Sequence, residues 1–366
     1  MKRSCWKRSK GGGVATTSDR NRRPEDEMVR NDAMRHTADP NAAVPKLLAA
    51  CYAPVDDALE RVEKLLETAL RGKDARVNEL VRYGFRASGK RLRPAMLLLS
   101  AKAVGEINAD HLTLAAVVEM VHTATLIHDD VLDEATLRRH HETVNARWDN
   151  ETSVLLGDFL FTHAFYLAST LPTNHACRVI GRTTNIVCEG ELRQIAHRGR
   201  YEMTETTYLE IIEAKTASLC ACCCELGAHY ASASRPQEEA LRQFGHHLGI
   251  AFQIADDLLD LLGDEPTVGK SLGTDLGKQK PTLPVIEAMR RVPAAQRSEL
   301  LSALTNGHGR AAVLLPWLER FGAVDYARNK ATQHARQARD CLLPLPESPA
   351  RQRLECLADF VVMRQQ

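Results

Sequence analysis

Apolar residues recur at helical spacing along most of this chain. From about Ala43, the residues Leu47, Leu48, Val55, Leu59, Val62, Leu65, Leu66 and Leu70 fall at intervals near 3.6. Comparable stretches predict helices over 93–104, 111–133, 153–171, 176–197, 207–230, 236–262, 281–291, 296–305, 311–320, 324–341 and 347–363. Alternating strand-type runs are scarce, and Pro and Gly fall mostly between the helical stretches as breakers. Helices with one apolar face must bury it against one another. The pattern therefore predicts an all-α fold, one large helical bundle over residues 45–366.

Two of these helices break the apolar pattern in the same way. The first carries Asp129-Asp130-Val131-Leu132-Asp133 and the second Asp256-Asp257-Leu258-Leu259-Asp260. Residues four apart share a helix face, so Asp129 pairs with Asp133 and Asp256 with Asp260. His122, Thr125, Asp129 and Asp133 form one polar stripe amid Val117, Val118, Val121, Leu126 and Ile127. Gln253, Asp256, Asp257 and Asp260 cluster likewise amid Ile250, Phe252, Ile254, Leu258 and Leu261. One such stripe could be a solvated outer face; two with the same grammar point to a shared site. Closely spaced carboxylates suit hard divalent cations, which take oxygen ligands and share substrate phosphates.

The N-terminal residues 1–44 differ: basic residues, a Gly11-Gly12-Gly13 run and no apolar periodicity predict a disordered tail rather than a signal peptide. Formal net charge is +1 in 366 residues, so no global field favours nucleic acid. No apolar run is long enough to span a bilayer. The 10 cysteines are scattered except for Cys220, Cys222, Cys223 and Cys224, where helical neighbours point apart and packing is the expected role. Such usage suggests a reducing, cytoplasmic setting.

Anion binding must then come from local clusters. Gly89, Lys90, Arg91, Arg93 and Pro94 bring a glycine and cations to a helix start. Arg138 and Arg139 follow the first aspartate helix, Lys215-Thr216 lies within a helix, and Lys270 and Lys280 follow the second. Each alone could be solvated surface. Together they suggest two anion sites, one metal-bridged and one purely cationic.

These segments in order are SGKRLRP (88–94), VHTATLIHDDVLDEATLRR (121–139), LLGDFL (155–160), EGELRQ (189–194), KTASL (215–219), FQIADDLLD (252–260) and GKSLGTDLGKQKPTLP (269–284). The set resembles the all-trans polyprenyl diphosphate synthases of the long-chain, octaprenyl-like kind, over roughly residues 45–366. That resemblance implies a bundle of isoprenoid synthase type around a central cavity. It also implies Mg2+-dependent head-to-tail (1'-4) condensation of isopentenyl diphosphate with an allylic diphosphate of farnesyl or geranylgeranyl type, as for a quinone side chain, and a homodimer. It casts Asp129, Asp133 and Asp256 as Mg2+ ligands, supported by Asp257 and Asp260. Lys215 joins them in catalysis. Arg138, Lys215, Thr216, Gln253, Lys270 and Lys280 become allylic-site contacts; Lys90, Arg93, His122 and Arg139 form the isopentenyl site. Ala124 and Thr125, small residues one turn before Asp129, leave room for a growing chain.

Two departures stand out. The family continues Arg-Arg-Gly-x-Pro after the first motif, whereas Arg138-Arg139 is followed here by His140-His141-Glu142. This leaves the aim of Arg139 open. Ser88 stands where the family often has Gly. Three other readings use the same residues: a phosphohydrolase built on His128-Asp129-Asp130, a non-catalytic partner subunit, and a terpene cyclase. The second aspartate motif argues against the first two, and the separate cation cluster at Lys90, Arg93 and His122 against the third.

Overall fold

A computed structural model describes residues 47–86, 89–262, 273–306 and 311–363. The expected tail over 1–44, Ser88 and Lys270 lie outside the described residues. The fold is all-α. After a helix over 47–52 and a 3-10 turn at Ala53–Val55, the chain forms α1 (Asp56–Ala69), α2 (Ala75–Arg86), α3 (Leu92–Val104), α4 (Ala109–Leu132), α5 (Asn150–Ser169) and α6 (His175–Ala196). It continues with α7 (Glu205–Ile212), α8 (Ser218–Tyr230), α9 (Arg235–Leu262), α10 (Leu283–Arg291), α11 (Ala294–Asn306), α12 (Ala311–Arg320), α13 (Ala323–Cys341) and α14 (Pro349–Met363).

The helix α4 runs through the interior, because Leu112, Leu114, Val117, Val118, Met120, Val121 and Ile127 leave little polar surface until its last turns. It starts at a reciprocal cap: the Asn108 side chain accepts from the His111 amide (3.2 Å), and His111 Nδ1 accepts from the Asn108 amide (3.0 Å). It packs against α5, α3 and α1. The other long helix, α9, packs against α8 and α13. On α13 the buried residues Ala323, Ala327, Ala331, Ala335 and Ala338 form a small-residue stripe. With only methyl groups on that stripe, a partner helix approaches closely.

Three features lie outside the periodicity reading. The pattern gives no helix over 75–86, yet α2 is there; charged positions and Gly84 break its apolar run, and Val81 and Gly84 carry its buried face. The stretch 207–230 is not one α-helix: Glu213–Ala217 forms a π turn between α7 and α8. A disulfide joins Cys51 to Cys356 on α14, with Cα atoms 6.2 Å apart, which runs against the reducing setting expected from cysteine usage. Among the described cysteines, the cluster Cys220, Cys222, Cys223 and Cys224 is free and buried, as packing requires.

Helices α9 and α13 also bring two half-buried histidines together. The Nδ1 atoms of His247 and His334 are 3.2 Å apart. Burial, then His247, pulls the His334 pKa down to about 4. The unfolded chain binds this proton near pH 6.5, so stability is lost as pH falls from about 6.5 towards 4. Replacing His334 with Gln is expected to raise the melting temperature at pH 5 relative to the parent more than at pH 8. An equal shift at both pH values contradicts this.

Candidate active site

The last turn of α4 places Asp129 and Asp133 beside one another at the edge of the bundle. Asp129 Oδ2 lies 3.4 Å from Lys215 Nζ, and Lys215 also pairs closely with Glu191 and donates to Gln194 Oε1 (3.0 Å). Burial raises the Asp129 carboxyl, partly offset by Lys215 and reinforced by Glu191 and Asp133. Asp133 meets three cations: Arg198 (2.9 Å), Lys280 (2.8 Å) and Lys278 (3.1 Å). Burial pushes its carboxyl up, but Lys280 and Lys278 outweigh burial and leave it below its ordinary value. Asp130 is spent differently, holding Arg138 at 2.8 Å.

The position of Lys215 depends on the π turn. A π turn inserts a residue into the helix and turns side chains to a new bearing, a device common at functional sites. Gly190 on α6 admits it: a Cβ there would lie 2.8 Å from Ala214 Cβ and 2.8 Å from the Lys215 amide nitrogen. Lys215 stays charged, because Asp129 and Glu191 outweigh the burial that lowers its pKa. The neighbouring Thr216 donates to Gln253 Oε1 (2.7 Å), which ties the π turn to α9.

On α9 the three aspartates divide their roles. Asp257 and Asp260 are buried and engaged with the protein. Tyr208 and Gln253 donate to Asp257 (2.7 and 2.8 Å), and burial, then Asp275, pushes its carboxyl up. Asp260 accepts from Thr274 Oγ1 (2.8 Å) and the Asp275 amide (3.0 Å), pinning the chain that returns after α9. This return delivers Lys278 and Lys280 to Asp133. Lys280 Nζ is 3.9 Å from Asp275 as well, so one cation spans from the first motif to the support of the second. Asp256 is only half-buried, and its charge acts on Arg139 across the site. Of the second motif, Asp256 is the carboxylate left half-open.

A second cluster adjoins the first. Arg93 donates to His122 Nε2 (2.9 Å). Burial, then Arg93, Arg139 and Arg138, holds His122 far below its usual pKa, so the ring is neutral. Burial and the nearby Arg138 and Arg93 likewise lower Arg139. Guanidinium groups gathered this way repel one another, and a bound anion relieves that repulsion. The strands β1 (Leu137–Arg138) and β2 (His141–Glu142) form a small hairpin that aims Arg139. Its two turn residues, Arg139 and His140, take φ of 51° and 63°. The departure from the family pattern thus leaves the turn intact: His140 adopts the left-handed conformation that glycine takes easily. The Arg139 guanidinium rests on Gly89, where a Cβ would fall 2.5 Å from its nitrogens.

Other expected residues have plainer surroundings. Lys90 Nζ stands 5.8 Å from the centre of the Phe360 ring. Thr125 is half-buried and donates to the His122 carbonyl (2.7 Å), whereas Ala124 is fully buried in the core. Motif reading assigned no role to Glu191 or Gln194, though both lie in the quoted EGELRQ segment. It also missed Lys278, two positions before Lys280, and Tyr208 and Arg198, which no local pattern marks.

The donor set fits a hard divalent cation. Asp129, Asp133 and Asp256 offer only oxygen, and lysines that could equally attend a polyphosphate now balance the first two.

Comparison with known proteins agrees with this geometry. Residues 74–315 match the model of the family described as polyprenyl synthetase. The chain is 38% identical over 291 residues to an octaprenyl diphosphate synthase of Escherichia coli (strain K12), covering 79% of this chain and 90% of that protein. It is 39% identical over 314 residues to an all-trans-nonaprenyl-diphosphate synthase (geranyl-diphosphate specific) of Rhodobacter capsulatus, covering 85% and 96%. It also superposes on a crystal structure of a polyprenyl synthase from Caulobacter crescentus CB15, complexed with calcium and isoprenyl diphosphate. The TM-score is 0.82, with 35% identity over 87% of this chain and 98% of that one. With the paired aspartate motifs, the cation cluster and these matches together, the chain belongs to the polyprenyl synthetase family.

Proposed function

We propose that this chain condenses isopentenyl diphosphate head to tail with an allylic diphosphate, repeating the step to build a long all-trans polyprenyl diphosphate. The chain is a prenyltransferase, as its family membership and its octaprenyl and nonaprenyl relatives support. The observation that carries the rest is the set of cations on the first motif, Lys215 at Asp129 and Lys278 and Lys280 at Asp133, of which Lys280 also nears Asp275, whose amide donates to Asp260 of the second motif.

In this reading the allylic diphosphate lies between α4 and α9, with Asp129, Asp133 and Asp256 holding magnesium. Magnesium there supplies Lewis acidity to the leaving diphosphate. Lys215, Lys280, Arg198 and Arg138 surround the same group, and their charges favour it most once its C–O bond has broken. Thr216 and Gln253 fix the wall beside the allylic carbon. Arg93, Arg139 and neutral His122, with Lys90 nearby, orient isopentenyl diphosphate so that its double bond faces that carbon. Its π electrons form the new C–C bond, and a proton from its C2 passes to the released diphosphate. The polypeptide contributes position, charge and exclusion of water.

The catalytic domain in this proposal spans 45–366, with 1–44 as an appended tail. No helix among the described residues is long and apolar enough to cross a membrane, and the reading places the enzyme in the cytoplasm. Val154, Leu155 and Tyr166 on α5 and Leu192 and Ile195 on α6 are exposed apolar residues that a homodimer would cover.

Incubating the purified chain with labelled isopentenyl diphosphate, farnesyl diphosphate and Mg2+ tests the proposal. Labelled polyprenyl chains longer than the primer, with pyrophosphate released at each addition, are the expected products. Orthophosphate without elongation, or cyclised hydrocarbon formed without isopentenyl diphosphate, overturns it. The isopentenyl site has its own test in Gly89→Ala. The new methyl displaces Arg139, so KM for isopentenyl diphosphate should rise about tenfold, the scale of one charge-assisted contact, with little change in kcat. An unchanged KM contradicts the placement of Arg139.

A further inference from the structure

At the opposite end of α8 from Lys215, three side chains from three helices converge. His175 opens α6, His229 lies in the last turn of α8, and Glu238 lies in the first turn of α9. One ring nitrogen from each histidine and one Glu238 oxygen lie within 4.8 Å of one another. We infer that His175, His229 and Glu238 form a second, structural metal site, of a chemistry that suits Zn2+. The site is separate from the aspartate pair: Asp256 is roughly 27 Å further along α9 at 1.5 Å per residue.

The local chemistry favours a metal over a plain packing contact. The two imidazole rings stack face to face, 3.6 Å between centres and 11° from parallel. His175 Nε2 is buried and has no hydrogen-bond partner among the described residues, a cost that a ligand would remove. His229 Nδ1 is 3.4 Å from Glu238 Oε2, a long contact for a hydrogen bond.

Zinc takes nitrogen ligands at about 2.0–2.1 Å and carboxylate oxygen at about 2.0–2.2 Å in tetrahedral geometry, which sets ligand atoms about 3.3 Å apart. Imidazole lone pairs lie in the ring planes, so one of the two stacked rings must turn out of the stack for both to meet one ion, which draws the three atoms from within 4.8 Å to that spacing. Two histidines and a carboxylate leave a fourth position for water. Glu238 also lines an open cleft of about 920 Å³. Further along, α6 carries Glu191 and α9 carries Asp256, and α8 begins at the π turn that holds Lys215, so a metal here would brace the frame of the active site from its far end.

The test uses the full chain, stripped with chelator, loaded with Zn2+ in excess Mg2+ and desalted. One tightly held equivalent of zinc and a higher melting temperature are expected. Asp129→Ala should keep both, whereas His175→Ala and His229→Ala should weaken zinc binding at least about a hundredfold, the loss of a direct ligand exceeding that of an outer-shell partner. Glu238→Gln is the milder variant; unchanged prenyltransfer shows that the His175, His229 and Glu238 variants are folded, and the melting curve shows it for Asp129→Ala. Zinc held equally by the histidine variants, zinc lost with Asp129→Ala, or no zinc retained by the parent overturns the inference.

Discussion

Replacing Asp129 with alanine is expected to cut kcat about a thousandfold while leaving the fold intact. At ~4 Å and an effective dielectric near 20, one unit charge pair is worth about 4 kcal/mol, and each 1.36 kcal/mol is a factor of ten in rate. Asp129 contributes at least one such pair to the metal-diphosphate cluster. Its effect on stability has the opposite sign. Burial raises its folded pKa above the unfolded value, so the ionised carboxylate costs stability once pH exceeds the unfolded value near 3.9. Removing it relieves that cost, and Lys215 keeps Glu191 as its partner. Single-turnover rates with melting curves check both parts. Rates within a few-fold of the parent, at equal Mg2+, contradict the assignment.

Thr125→Tyr is expected to change what is made rather than how fast the first bond forms. Thr125 lies one turn before Asp129, ~6 Å along the axis of α4. It is half-buried, so a larger side chain has open space to enter. A tyrosine there would stand in the path of an allylic tail held by its diphosphate at Asp129 and Asp133. The first condensation should proceed within a few-fold of the parent rate, and elongation should stop after few additions. Ala124→Phe is a less clean block, since Ala124 is fully buried and overpacking a filled core costs about 1–3 kcal/mol. Chromatography of the products decides the matter: an unchanged chain-length distribution in Thr125→Tyr refutes a tail path past this turn.

Much of this was legible in the amino-acid order because helix periodicity and metal chemistry both act over short range. A stripe of His122, Thr125, Asp129 and Asp133 can be read from spacing alone, and so can the interior course of α4. The roles within the second motif could not. Asp256, Asp257 and Asp260 look equivalent in sequence, yet Tyr208 and Gln253 take one and the loop at Thr274–Asp275 takes another. Those partners come from other elements, and only tertiary packing chooses them. The π turn at Lys215 is hidden for a related reason: one added residue barely disturbs a 3.6 period, while it redirects the side chain that matters. The His140 turn shows the converse. A missing glycine predicts an altered loop, but hairpin pairing holds His140 in the left-handed region and keeps Arg139 on Gly89. Arg198, which joins Asp133 from beyond α6, has no sequence signature.

The account rests on two acidic helices closing on one substrate. A crystal structure with a non-hydrolysable allylic thiodiphosphate and Mg2+ tests it most directly. The expected density has metal ions bridging one diphosphate to Asp129 and Asp133 on one side and to Asp256 on the other, with Lys215 and Lys280 on its oxygens. A diphosphate bound elsewhere, or metal held by one motif while the other stays turned away, would contradict it.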